Sequence, residues 1–318
     1  MKRIQNKVAE SRFSLPTMSA YALAVWLVSG LLIPHVPMTV ADLWDGAWVQ
    51  FVCFVVSAYL MVELNNSNAL IRIYSRMVTC SFLAMLCAAA FLLGLMKGAI
   101  VLLCVIAAYT TLFRTYQNRQ ATGWTYYAFL CFGLASVAWV QVLWFLPVVW
   151  LLMWTQLSSL SWRTLAASLI GLLTPYWFIS AALLFTGDFY YLVDHFKPLV
   201  SDFVYFQIST VNSQLSVVVF AFIVVLYVTG TIHYIRNSSD DKIRIRQLYG
   251  FFMGMGLASI VLIVLQPRHY DPLLRLLIVN TAPLIGHFLA LTKTRITNIA
   301  FFVICAACVV FTLLSLLL

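Results

Sequence analysis

Three short stretches of this sequence bring together residues able to move protons, bind anions or ligate a metal. The first is Asp42-Leu43-Trp44-Asp45. Carboxylates at this spacing share one face if the segment starts a helix, and at a water–membrane boundary such a pair suits a general base or metal ligands in group transfer. They read equally as solvated loop acids, with Trp44 and Trp48 as interfacial anchors. The second stretch is Arg268-His269-Tyr270-Asp271-Pro272, with Arg275 one turn further on. Arginine grips phosphate with two parallel N–H bonds, and a histidine of ordinary pKa exchanges protons near neutrality. On this reading Asp42, Asp45 and His269 are the candidate catalytic groups, and Arg268 and Arg275 the candidate substrate ligands. The plain alternative is an arginine at the interface paired with Asp271.

The third stretch runs from Thr186 to Gln214 and carries Asp188-Phe189-Tyr190-Tyr191, Asp194-His195-Phe196 and Asp202-Phe203-Val204-Tyr205-Phe206. Aromatic rings among spaced acids suit a segment lying in the headgroup layer. It would be either a simple interfacial helix or a lid over a lipid entrance, and in the second case Asp194 joins the substrate-binding set. Asn280 and His287, seven residues apart, point within about 20° of each other on a helix. They would either line a pathway or hydrogen-bond neighbouring helices. Pro283 between them invites a kink, Pro147 and Pro175 mark bends, and Gly250-x-x-x-Gly254 with Gly256 permits close helix packing.

The elements that must position these residues are set by hydropathy. The chain has 318 residues, 63% hydrophobic and 9% charged, too few ionisable groups to cover a water-soluble protein of this size. The formal charge of +9 sits in clusters between apolar runs rather than along one face, so a nucleic-acid partner is not expected. All seven cysteines (Cys53, Cys80, Cys87, Cys104, Cys131, Cys305, Cys308) lie in apolar runs, where they pack as small hydrophobes. Cys305-x-x-Cys308 has no histidine or acid nearby to complete a zinc site. There is no phosphate-binding Gly-Lys loop, dinucleotide fingerprint, His-Glu-x-x-His or nucleophile elbow, so neither a cofactor nor a metal is implied.

A bilayer core of roughly 30 Å is crossed by about 20 helical residues. That ruler predicts an all-α transmembrane bundle with spans at 18–34, 47–63, 78–96, 98–113, 124–138, 140–157, 164–185, 214–234, 248–266, 274–292 and 297–318. Residues 1–17 form a basic cytoplasmic segment and 18–318 a single transmembrane domain, the first span being an uncleaved one rather than a signal peptide. The uncharged stretch 124–157 is the ambiguous one. As one helix it would be about 51 Å long, yet it contains no strong turn signal.

Charge decides the matter, since short cytoplasmic loops carry the excess of Lys and Arg. With two spans there, fifteen of the nineteen basic residues lie inside and only Lys97, Lys197, Arg268 and Arg275 outside, whereas one span gives eleven against eight. The expected topology is therefore eleven spans, N-terminus cytoplasmic and C-terminus outside. No internal repeat is evident, which disfavours the inverted-repeat transporter plan.

Leu112-Phe113-Arg114-Thr115-Tyr116-Gln117, Ala128-Phe129-Leu130-Cys131-Phe132-Gly133-Leu134-Ala135-Ser136 and Leu160-Ser161-Trp162-Arg163, leading to Gly171-Leu172-Leu173-Thr174-Pro175-Tyr176, resemble a family of multi-span inner-membrane proteins of Bacteroidota. That family carries no activity to transfer. The resemblance implies a bacterial inner membrane. A looser likeness to C-type glycosyltransferases rests on Asp42 and Asp45 in the first outer loop and on Arg268-His269-Tyr270, and implies a lipid-phosphate-linked sugar donor. The acids here are Asp-x-x-Asp where that family has them adjacent. Three functions follow: a component of cell-envelope assembly or secretion, an outer-face transferase, or a transporter or flippase. The expected partners are the bilayer with, respectively, other membrane proteins or a lipid-linked substrate.

Overall fold

The computed structural model describes residues 4–32, 48–93, 95–186, 190–201, 214–292 and 294–317. Among them every regular element is helical: α1 (Ile4–Glu10), α2 (Ser14–Leu32), α3 (Trp48–Asn68), α4 (Met77–Ala88), α5 (Met96–Leu112), α6 (Thr122–Ala138), α7 (Leu146–Thr155), α8 (Trp162–Thr186), α9 (Tyr190–Phe196), α10 (Gln214–Asn237), α11 (Ile243–Leu265), α12 (Tyr270–Leu291) and α13 (Arg295–Leu317). Seven helices, built around α3, α5, α8, α10, α11, α12 and α13, are long and apolar enough to cross a membrane. Shorter apolar helices run over Ser14–Ser29, Met77–Ala88 and Val140–Thr155. The chain is thus a multi-pass membrane protein by helix length and composition. Each predicted apolar segment overlaps a helix among the described residues, but 78–96 is broken, α4 ending at Ala88 with a 3-10 turn, Ala90–Leu92, after it.

The stretch 124–157 is not one helix. Trp139 is extended (φ −154°, ψ 102°), ends α6, and leads into a 3-10 helix, Val140–Phe145, that continues as α7. The chain then returns to where it began: Gln117 N–H donates to the Leu157 carbonyl at 2.8 Å, and Ser161 Oγ to the Arg119 carbonyl at 2.8 Å. The 17 residues of α6 rise about 25 Å, and the 3-10 and α-helical residues of the return leg about 27 Å. The two legs match. Pro147 bends nothing here; it sits in the first turn of α7, where a missing N–H costs no hydrogen bond.

The bundle is organised around α12, which packs against α4, α5, α10 and α11, with α1 at one end. Every residue from Pro272 to Ala290 is buried. By contrast, only 17% of the apolar stretch of α8 and 22% of that of α13 is buried. The helix that carries Arg275, Asn280, Thr281 and His287 is therefore the one sealed at the centre. Small residues allow the closest approaches. A Cβ on Gly133 would lie 2.8 Å from the Leu172 carbonyl oxygen, and one on Gly171 would collide with the Tyr126 carbonyl, so α6 and α8 meet backbone to backbone. Gly250 and Gly254 likewise admit Gln156 and Leu152 of the α7 leg, and Gly256 admits the ring of Tyr227.

Polar contacts sort cleanly by end. At one end, Gln5 Nε2 donates to the Leu289 carbonyl at 2.7 Å, Gln5 N–H to Asn298 Oδ1 at 3.2 Å, and Arg244 to Asn68 Oδ1 at 3.0 Å. At the other, Tyr270 Oη donates to the Ser216 carbonyl at 2.6 Å and Phe91 N–H to Ser315 Oγ at 2.8 Å. The N-terminal helix and Ser315 thus lie at opposite ends of the bundle.

Candidate functional site

Candidate residues fall at both ends of α12. At the end where α12 begins, Arg275 is 3% exposed in its side chain and its Nε lies 2.7 Å from Asp271 Oδ1. Its Nη2 donates to the Leu92 carbonyl and, at 3.3 Å, to that of Leu95. These carbonyls sit where α4 and its trailing 3-10 turn, Ala90–Leu92, run out, so the guanidinium caps a helix terminus that would otherwise bury unpaired acceptors. Gly98 makes room for the pair: a Cβ there would overlap the Asp271 carboxylate. Arg275 is thus committed inside the bundle; it pairs with Asp271, but buried rather than at the interface. Arg268, in the preceding 3-10 turn Pro267–His269, is exposed.

His269 accepts a hydrogen bond at Nδ1 from the Trp139 indole N–H at 3.0 Å. The same corner of the chain receives His195, whose Nε2 lies 3.0 Å from the Ser136 carbonyl and 3.4 Å from Tyr176 Oη. Gln141 and Trp144 donate to the carbonyls of Pro198 and Leu199 at 2.6 Å and 3.3 Å. The α6 break thus anchors α9 and the helical turn Pro198–Ser201. Beneath lies an apolar cavity of about 670 Å³, bounded by Leu143, Leu172, Tyr176, Trp177, Leu192 and Phe196. Asp194 points away from it into a surface pair with Lys197. Asp42 and Asp45, with Asp188 and Asp202, lie outside the described residues.

Asn280, at mid-helix, accepts from Tyr109 Oη of α5 at 3.2 Å and donates to its own Leu276 carbonyl at 2.7 Å. His287, one heptad on, is fully buried, and its Nε2 lies 3.1 Å from Asp241 Oδ2. Since a carboxylate can only accept, Nε2 carries the proton. Asp241, itself wholly buried, is approached at Oδ1 by Arg72 Nε at 3.0 Å. The ring of Tyr234 lies 4.9 Å from that of His287, and Tyr249 stacks on Tyr234 at 4.1 Å. Tyr249 Oη is shared between the carbonyls of Leu70 and Pro283, at 3.3 Å each. Three chain segments, the α3–α4 loop, the α10–α11 loop and α12, are thereby tied at one point.

Sequence reasoning missed Asp241, Arg72 and Tyr109. By sequence context Asp241 reads as an ordinary loop acid beside Asp240. The available signal was an acid immediately ahead of a basic helix start, Lys242-Ile243-Arg244, in a chain with a histidine buried at a matching depth. Among the described residues no cluster of three or more His, Cys, Asp and Glu side chains is arranged to hold a metal ion. Cys305 and Cys308 are free thiols, the first exposed and the second buried. No protein-family model, curated protein or solved structure matches this chain.

Proposed function

We propose that this chain is an eleven-span protein of a bacterial inner membrane, N-terminus in the cytoplasm and C-terminus outside, acting as a non-catalytic component of an envelope assembly or secretion machinery. The topology is supported by the distribution of basic residues, by the α6–α7 hairpin and by the sorting of contacts between the two ends. The Bacteroidota resemblance supports the membrane assignment.

One observation carries the functional reading. The polar groups of α12 are buried within the bundle, while α8 and α13 leave most of their apolar surface bare. Among the described residues, apolar cavities of about 180, 480 and 670 Å³ are lined by neither Asn280 nor His287, which argues against a transport path through them. A photoreactive residue in place of the exposed Trp177 or Leu173 of α8 should give, in cells, a protein adduct of one defined mass. It should disappear when the neighbouring Phe178 is changed to Lys. Adducts with lipid alone would overturn the reading.

A second reading, an outer-face transferase acting on a lipid-phosphate-linked substrate, has one observation in its favour. His269 and His195 meet the same α6 corner, above an apolar cavity sized for a ligand. It predicts that His269→Gln abolishes function while leaving the protein folded.

A further inference from the structure

We propose that the groove between α2 and α3 is a binding site for an anionic phospholipid, with its phosphate on Arg76 and an acyl chain along the groove. Both helices pack on α4, leaving a channel of about 480 Å³ whose floor is Thr79 and Leu83 and whose walls include Ala22, Phe54 and Ala58. Its open side presents Leu23, Val55 and Tyr59, which are 42%, 47% and 64% exposed. At one end Trp26 and Phe51 close it, their rings 4.8 Å apart. At the other it opens on Arg76, the residue before α4. From Phe51 to Val62 the wall rises about 16 Å, close to the half-thickness of a bilayer core. The groove is therefore as deep as one leaflet.

The charge at its mouth selects the headgroup. Arg76 has no carboxylate partner among the described residues. Instead Nε and Nη2 donate to Tyr74 Oη at 3.3 Å and 3.2 Å, and Nη1 to Asn66 Oδ1 at 3.3 Å. The guanidinium also lies over the Tyr74 ring, 5.3 Å from its centre. Three of its five N–H groups thus hold the fork in place on neutral partners, leaving two N–H groups and a full positive charge for a phosphate. Glu63, just beyond Val62 on α3, does not pair with it. A basic pocket at a helix junction with an apolar furrow attached is what an anionic lipid recognises.

Native mass spectrometry of the full-length protein in mild detergent, titrated with phosphatidylglycerol and with phosphatidylethanolamine of matched chains, tests the site. The wild type should retain phosphatidylglycerol in preference. Arg76→Gln should weaken that retention about fivefold, one cation's worth near a membrane surface, and Arg163→Gln should not change it. Ala58→Phe, which fills the furrow without touching the charge, should weaken both lipids. Equal retention of the two lipids by the wild type, or unchanged phosphatidylglycerol binding in Arg76→Gln or in Ala58→Phe, would overturn the proposal. So would a photoreactive residue at Tyr59 that captures protein rather than lipid.

Discussion

Replacing Asp241 by alanine removes the group on which three chain segments converge, and the structure sets the size of the effect. The carboxylate is wholly buried, with His287 Nε2 at 3.1 Å and Arg72 Nε at 3.0 Å. His287 is fully buried as well, so its N–H is left without an acceptor, a loss of about 1–3 kcal/mol. Arg72 is 36% exposed and regains water, so its half of the pair counts for roughly 1 kcal/mol or less. The void left by the carboxylate adds to these, and the total is about 2–4 kcal/mol, toward the lower part of the range for breaking a buried pair. Asp241→Asn keeps an acceptor for His287 and should cost about half as much. Asp240→Ala, next door but 62% exposed, should stay within about 0.5 kcal/mol of wild type. Equilibrium unfolding in mixed detergent micelles, followed by tryptophan fluorescence, measures all three. A double-mutant cycle of Asp241→Ala with His287→Phe should return a coupling of about 1–3 kcal/mol. Additive effects, or an Asp241→Ala protein as stable as Asp240→Ala, would refute a coupled Asp241–His287 pair.

Gly171→Leu drives a side chain into the Tyr126 carbonyl and should separate α6 from α8, seen as loss of monodisperse protein in detergent; Gly123→Ala, with open space around its Cβ position, should be silent. Arg275→Ala should destabilise by about 3 kcal/mol or more, because it strands Asp271 and the carbonyls of Leu92 and Leu95; Arg275→Lys, lacking the fork, should recover only part of this in the same unfolding assay. Ser158, in the connection from α7 to α8, has φ +49°, a left-handed conformation that costs a side-chain-bearing residue about 1 kcal/mol. Ser158→Gly should therefore unfold later by about that amount, and an earlier transition would contradict the strain.

Hydropathy was enough to place most of the helices, because a bilayer imposes a length on each apolar run. The α6–α7 turn shows the limit of local signals. Nothing in Ser136-Val137-Ala138-Trp139 spells a turn, and the break is held by a bond from Trp139 to His269, 130 residues away. Burial of α12 was equally hidden. The spacing of Asn280 and His287 located them on a shared face, but that helix is enclosed on all sides, and their partners, Tyr109 and Asp241, come from other parts of the chain. Arg275 shows the same limit from another side. Residue type proposed a phosphate ligand, whereas the groups it serves are Asp271, one turn back, and two backbone carbonyls, which no sequence motif marks.

Complementation distinguishes the proposed assembly role from chemistry at the outer face. A deletion strain carrying the combined variant Asp42→Asn, Asp45→Asn, His269→Gln, with the protein verified as folded and membrane-inserted, should behave as the wild type does. Loss of function in that strain, at normal protein levels, would contradict the account and favour the outer-face transferase.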